Sequence, residues 1–417
     1  MRQIKKAIIV TVGNELLDGR RVNTNLVWLS AKLNKLGIIV TKSISIRDDL
    51  DEISHELSNI SKIEADYVFV TGGLGGTIDD ITVASVAKFL KVNTYFDQKY
   101  YLKLKKKSIK KGLKESQTLK GQSIALGNVK YMNNKVGTAR PFTFKYKNSC
   151  YYFFPGVPKE LKLIFKKEVV PNLSSKNKLF SCSINLFGIT ESCVSDKIND
   201  LIKKNSDIKF SFLPSLKKIS LVLTSLEKQK MEKVKKDISR LLNPYIYSYD
   251  DQTLAQTVGE ILIENNLTIS TCESCTGGKL SDIITKTPGS STYYKGSVIA
   301  YSSEVKNKLL KISNKKIKDK GVVSKDIAVE MANKTSDIMM TDICISITGY
   351  SGPESDKKKQ MLGVVYISVK VFDDILTRKY TLPYRREEHK KLSCQIALNN
   401  LRLILLKKWN DNIYKLK

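Results

Sequence analysis

The chain has 417 residues, 41% of them hydrophobic and 8% aromatic, which is the composition of a folded globular protein rather than a disordered one. No stretch approaches the roughly 20 apolar residues of a membrane span, and the length leaves room for two to four domains of about 150 residues. The formal net charge of +30 invites a nucleic-acid reading, but the lysines are spread along the whole sequence beside abundant Ile and Asn and few Arg, so it reads as composition bias, with a basic surface for a polyanionic partner as the lesser alternative.

The start is charged and then apolar, and the run ends at Gly13-Asn14-Glu15 without a small-residue cleavage site. It therefore reads as a first strand and not a signal peptide, and the protein is expected in the cytoplasm. Strand patterns at residues 7–12, 38–46 and 67–71 alternate with helical patterns at 22–36, 49–63 and 82–90; the first helix carries Leu26, Leu29, Leu33 and Leu36 on one stripe and stops at Gly37. Such alternation predicts an α/β fold with a parallel sheet, right-handed crossovers and ligands outside the C-terminal strand ends. The first of those ends carries Glu15 and Asn25. The second, Gly72 to Asp80, has Gly72, Gly73 and Gly75 to let backbone approach a phosphate, with Asp79 and Asp80 available to hold a divalent cation. The plain alternative is a sharp turn with an Asp helix cap.

The lysine-dense run 103–114 reads as a solvated helix face and the Lys/Ser-rich residues 174–178 as a linker. Strands at 183–187, 209–213 and 219–224 with helices at 192–203 and 227–242 make a small α+β unit. It lacks a G-x-x-G loop to clamp a nucleic-acid backbone, so it reads as a structural spacer. The expected domains are residues 1–173, 174–248 and 249–417.

In the last third, a helix at 253–265 and a short buried strand at 267–270 lead into Thr271-Cys272-Glu273-Ser274-Cys275-Thr276-Gly277-Gly278, and Leu280, Ile283 and Ile284 follow on one helical face. Hydroxyls and backbone N–H groups at a helix start favour an anion or oxyanion; a simple cap by Thr276 is the alternative. Downstream come a hydroxyl-rich turn at Ser290-Ser291, a strand at 298–301 closed by Tyr301, and a helix from Ser303 that carries Lys306. The two histidines, His55 and His389, lie in unrelated contexts, which argues against Ser-His-Asp, Cys-His and histidine–zinc chemistry. Without them, a serine can be activated by a lysine of lowered pKa, with a tyrosine relaying the proton and N–H groups near Ser274 and Gly277 holding the oxyanion. Each residue alone has a plainer role: Tyr301 in the core, Lys306 on the surface, Ser291 as a cap. The seven cysteines are scattered; Cys272 and Cys275 form a lone C-x-x-C, weak support for a metal, and are expected reduced and packed. A final helix at 387–409 places Cys394, Leu398, Leu401 and Leu405 on a core stripe.

As an ordered set, Thr11-Val12-Gly13-Asn14-Glu15-Leu16-Leu17, Asn23-Thr24-Asn25, Thr71-Gly72-Gly73-Leu74-Gly75 with Asp79-Asp80, Val136-Gly137-Thr138-Ala139, Pro155-Gly156-Val157-Pro158, Glu273-Ser274-Cys275-Thr276-Gly277-Gly278, Pro288-Gly289-Ser290-Ser291, Tyr301-Ser302 with Lys306, and Thr348-Gly349 resemble the CinA family (competence/damage-inducible protein A). The resemblance implies a molybdopterin-binding-like N-terminal domain associated with ADP-ribose hydrolysis. Its nucleotide site would comprise Glu15, Asn25, Gly72, Gly73, Gly75, Asp79 and Asp80, with magnesium or a similar cation at Asp79 and Asp80. It further implies a KH-like central domain and a C-terminal domain similar to nicotinamide mononucleotide (NMN) amidohydrolases, needing no cofactor. There Ser274 would be the nucleophile, Lys306 and Tyr301 the base and proton relay, and Thr276, Gly277, Ser291 and Thr348 substrate-positioning groups. Arg386 would grip the NMN phosphate. A homodimer, with no membrane or nucleic-acid partner, is expected. The sequence departs from the family pattern at Gly76 (usually Pro), Arg140-Pro141 (commonly Pro-Gly), Tyr350-Ser351 (usually Ile-Ala), Glu354-Ser355-Asp356 (usually glycines) and Tyr384-Arg385. The alternatives are a non-catalytic competence or DNA-repair protein and a pterin- or nucleotide-binding module.

Overall fold

β-Branched and aromatic runs separated by amphipathic helices build a twisted sheet buried on both faces in the first part of the chain. The computed structural model describes residues 5–109, 112, 117–173, 179–352 and 362–407. The chain divides into two compact units, Met1–Phe180 and Ser181–Lys417.

In the first unit the strands are β1 (Lys5–Val12), β2 (Ile38–Ile46), β3 (Tyr67–Thr71), β4 (Thr94–Phe96), β5 (Ile124–Leu126), β6 (Lys130–Tyr131), β7 (Phe142–Tyr146) and β8 (Ser149–Phe154). The main sheet is ordered β2-β1-β3-β8-β7-β6, and β4 pairs with β5 apart from it. Strands β2, β1, β3 and β8 are parallel, but β7 pairs antiparallel with β8 and β6 antiparallel with β7, so the sheet is mixed where the alternation predicted a parallel one. The reason is local: only two residues join Tyr146 to Ser149, with Lys147 at φ 51°, and so short a link can only reverse the chain. All of β3 is buried; Val68 and Val70 face one core and Tyr67 and Phe69 the other. Helix Thr24–Lys35 buries Leu29 and Leu33 against the second core, and its first turn is tied by Asn23, which accepts from the Leu26 N–H. Of the lysine-dense run, helix Gln98–Ile109 buries Tyr101 and Leu104 and turns its other side outward; the linker 174–178 lies outside the described residues.

The second unit holds two sheets. Strands β9 (Phe180–Phe187), β10 (Lys209–Ser215), β11 (Lys218–Ser225) and β12 (Ile246–Tyr249) order as β10-β11-β9-β12, with helices Glu191–Lys204 and Lys228–Leu242. This small sheet shares a core with the larger one. Phe187 and Tyr247 belong to the same core as Leu254, Ile345 and Leu401, and the buried Arg402 guanidinium donates to the carbonyls of Ile246 (2.7 Å) and Pro244 (3.1 Å).

The larger sheet comprises β13 (Ile269–Glu273), β14 (Tyr294–Ile299), β15 (Ile343–Gly349), β16 (Val364–Val371) and β17 (Asp374–Thr381), ordered β14-β13-β15-β16-β17. The first three are parallel, β16 pairs antiparallel with β15, and β17 pairs antiparallel with β16. β13 starts and ends later than the expected 267–270, because hydroxyl residues occupy a buried strand: Ser270 bonds Thr341 and Thr271 bonds the Tyr294 hydroxyl. Strand β14 ends at Ile299, so Tyr301 lies beyond it and does not close it. Helix Arg386–Leu405 buries Cys394, Leu398 and Leu401. No helix among the described residues is long and apolar enough to cross a membrane.

Candidate active site

The C-terminal end of β13, between two parallel neighbours, delivers Ser274 to the sheet edge, where its N–H donates to the Ile347 carbonyl at 2.9 Å. Lys306 arrives from helix Ser303–Lys308, whose start is capped by the Ser302 hydroxyl accepting from the Val305 N–H. The lysine is 0% exposed. Its ammonium lies 2.7 Å from the Ala300 carbonyl and 3.0 Å from Ser274 Oγ. Burial pulls its pKa down to about 8, and its electrostatic neighbours are the thiols of Cys272 and Cys275. Burial pushes those thiols up to about 12 and about 11, so they stay neutral and offer no counter-charge. As an ammonium Lys306 donates to both the Ala300 carbonyl and Ser274 Oγ; once neutral it keeps a donor for Ala300 O and has a lone pair free to accept the Ser274 proton.

The turn after Ser274 is held by Glu273, not by Thr276. The fully buried Glu273 carboxylate accepts from the N–H groups of Gly278 (3.0 Å), Leu280 (3.0 Å) and Ser281 (2.9 Å) and from Ser281 Oγ (2.8 Å). It thereby caps helix Lys279–Thr285, and Gly277 and Gly278 take left-handed φ of 58° and 91° to bring the chain round. Within the expected stretch of oxyanion donors near Ser274 and Gly277, the Ser274 N–H is held by Ile347 O at 2.9 Å and the Gly277 N–H by Ser274 O at 3.1 Å. Among the described residues the N–H groups of Cys275 and Thr276 have no such partner, and neither does the buried Thr276 hydroxyl.

A pocket of about 280 Å³ opens above Ser274, walled by Cys275, Tyr301, Val323, Tyr350, Ser351 and Arg386 among others. Of the residues singled out in the sequence it collects Ser274, Tyr301 and Arg386, with Lys306 directly behind the serine. Tyr301 is 57% exposed, so it is not core. Its hydroxyl accepts from Arg386 Nη2 at 2.9 Å, and no bond to Lys306 links it to the base among the described residues. Arg386 Nη1 donates to the Gly352 carbonyl at 3.0 Å. Thr348 is buried in β15 and donates to Val322 O at 3.3 Å, bracing the wall from behind. Ser291 is not brought to the pocket. It is exposed on the turn before β14, and the register pairs Ile269 with Tyr294 and Glu273 with Ile299, so the strand carries the chain about 13 Å from one end to the other. The positions 354–356 lie outside the described residues.

Sequence reasoning missed Cys275 as a wall residue and a buried pair beside it: Ser351 Oγ lies 3.1 Å from His389 Nδ1, and His389 Nε2 lies 3.2 Å from the Gly363 carbonyl. The departure at Ser351 was the only signal. His389, set aside for its context, stands one hydroxyl from the pocket.

In the first unit the loop glycines are accounted for by packing. A Cβ on Gly72 would meet Val12 O at 2.1 Å, and one on Gly73 would meet Thr82 Oγ1 at 2.2 Å. Asp80 is folded into its own loop, accepting from the N–H groups of Gly75 (2.7 Å) and Thr77 (2.9 Å) and from the Thr77 hydroxyl. Asp79 is exposed. Glu15 and Asn25 line one hollow of about 90 Å³, whereas Gly75 and Asp80 line another of about 170 Å³ with Arg140. Asn25 donates to the Gly156 carbonyl at 2.7 Å. With Asp80 bonded into its own loop and Asp79 exposed, the two carboxylates do not make a preformed cation centre, and among the described residues no three His, Cys, Asp or Glu side chains converge to hold a metal. Two departures from the family pattern are built into this region. Gly76 packs where a Cβ would sit 1.9 Å from Thr118 O. Arg140 pairs with Asp97 at 2.8 Å and stacks over the rings of Tyr131 and Tyr100.

Three family descriptions match the sequence in succession: "Probable molybdopterin binding domain" over residues 8–175, "Damage-inducible protein CinA KH domain" over 181–248, and "CinA C-terminal domain" over 251–405. A CinA-like protein of Prochlorococcus marinus (strain MIT 9515) is 35% identical over 96% of this chain and 95% of its own length. One from Fervidobacterium nodosum is 31% identical over 97% and 99%. A solved structure described as the protein CinA with unknown function, from Thermoplasma acidophilum, is 34% identical, covers 39% of this chain and 94% of its own, and has a TM-score of 0.36.

Proposed function

The chain belongs to the CinA family, and from that membership together with the buried lysine–serine pair we propose that its C-terminal part is a serine amidohydrolase converting NMN and water into nicotinate mononucleotide and ammonia. The observation that carries this reading is Lys306 Nζ at 3.0 Å from Ser274 Oγ, fully buried, with a pKa near 8. A lysine in that state is a competent general base near neutral pH. Neutral Lys306 takes the Ser274 proton as Oγ attacks the carboxamide carbon. The tetrahedral adduct collapses, the C–N bond breaks, and the proton returns from Lys306 to the departing nitrogen as ammonia leaves. Water then attacks the acyl-serine ester, again giving its proton to Lys306, and Ser274 is regenerated as the carboxylate product departs. The Cys275 and Thr276 N–H groups are the donors best suited to the oxyanion. Arg386 on the pocket wall offers a cation for the substrate phosphate.

Ammonia release from NMN by the purified protein tests the reading. Ser274→Ala and Lys306→Ala are each expected to lose at least about 100-fold in kcat/KM. A wild-type protein that releases no ammonia, or a Lys306→Ala variant that retains full activity, sinks it.

A further inference from the structure

Beside the nucleophile, a chain of three side chains runs into the protein: the Cys275 thiol and the Ser351 hydroxyl on the pocket wall, then the His389 imidazole, which is 0% exposed. Its proton positions follow from its ends. The Gly363 carbonyl can only accept, so His389 Nε2 at 3.2 Å must carry the hydrogen. A neutral ring then has a bare Nδ1, and Ser351 Oγ, 3.1 Å away, must donate its only hydrogen to it. Burial, with the nearby Arg386 charge adding to it, holds the His389 pKa below its ordinary value, so the ring is neutral at pH 7. Ser351 therefore presents only lone pairs to its other neighbours. One is met by the Cys275 thiol, which lies within hydrogen-bonding reach. The other is left for the pocket, which Ser351 lines together with Ser274.

We propose that Ser351 is a specificity-determining residue that accepts a hydrogen bond from the substrate's carboxamide N–H, and that His389 is the positioning residue that holds Ser351 as an obligate acceptor. An acceptor aimed at the leaving nitrogen favours an amide, which has a hydrogen to give, over the carboxylate product, which has none. A wall built this way binds the substrate and repels the product. The arrangement is not a thiol–imidazole catalytic pair, because the imidazole nitrogen facing the pocket side is occupied by Ser351 and the thiol is held un-ionised. Ser351 stands where the family pattern usually has Ala, so the device belongs to this chain's own departures. The inference rests on the amidohydrolase reading for the identity of the amide.

The test is steady-state kinetics on the full-length protein, measuring kcat and KM for NMN and the competitive Ki of nicotinate mononucleotide, with melting curves as a folding control. Ser351→Ala is expected to raise KM about 10-fold, the loss of one hydrogen bond to a buried partner, and to lower Ki because the lone pair that repels the product is gone. His389→Leu frees the Ser351 hydroxyl to donate and is expected to lower Ki for the product, a change that a merely structural role would not produce. If His389→Leu fails to fold, Ser351→Ala carries the test alone. A wild type that releases ammonia while Ser351→Ala keeps its Ki/KM ratio within about twofold overturns this inference and leaves the amidohydrolase standing. A wild type that releases no ammonia overturns the reaction instead; calorimetric titration with the two nucleotides then decides. A preference for the amide that Ser351→Ala abolishes supports the acceptor role, and no preference, or no binding, overturns it.

Discussion

Lys306 concentrates the chemistry and the thermodynamic penalty of this protein in one side chain. A surface lysine was the plainer sequence reading; what buries it is the short helix from Ser303 folding back under the end of β13. With a folded pKa of about 8 against an ordinary 10.5, the unfolded chain holds a proton that the folded chain lacks between those values. Stability therefore rises with pH across that window, and below pH 8 the full penalty of about 3 kcal/mol applies. Lys306→Met should thus be inactive yet melt higher than wild type at pH 7, while the advantage of the Met variant over wild type should shrink as pH approaches 10. Calorimetry at pH 7 and 9.5 checks both. The same group predicts kcat/KM climbing with pH to a plateau above about 8, as the amine becomes neutral.

At the scale of elements, the site depends on a strand-to-turn transition that polar residues disguise. The sequence pattern stops strand β13 at Ser270 because Thr271 and the polar residues after it look like a loop, yet the hydroxyls of Ser270 and Thr271 are satisfied by Thr341 and Tyr294 inside the sheet. The strands at 38–46 and 67–71 and the helix at 82–90 occur at the residues the sequence pattern predicts: β-branched residues dominate the first strand, the second is an apolar run, and the helix has a clean period. The turn itself is set by Glu273, whose carboxylate gathers three N–H groups and a hydroxyl. Glu273→Gln keeps the shape but removes the charge, so it should destabilise by about 2 kcal/mol and loosen Ser274 enough to lower kcat at least severalfold. Urea unfolding alongside ammonia release measures the two effects; an unchanged midpoint would mean that the turn is held by its glycines alone.

For the whole molecule, the second unit is one body because its small and large sheets share a core, and Arg402 stitches them by donating to two carbonyls that close the β12 end. Arg402→Leu leaves the Ile246 and Pro244 carbonyls without that partner and should cost about 2–3 kcal/mol, seen as a lower unfolding midpoint for this unit. Equal midpoints would show that the apolar contacts of Phe187 and Tyr247 suffice. By itself the sequence determined the α/β class and the succession of family domains, because periodicity and ordered motifs are local properties of a chain, and it singled out Ser274, Lys306, Tyr301 and Arg386 as candidates, which the fold gathers at one pocket. Only the tertiary structure decided that Lys306 is dry, that Tyr301 answers to Arg386, that Ser291 sits a strand's length away, and that His389 reaches the pocket through Ser351. Each of those turns on which elements pack together and how far a strand carries the chain, and burial, which sets the pKa values on which the chemistry depends, exists only once the elements have met.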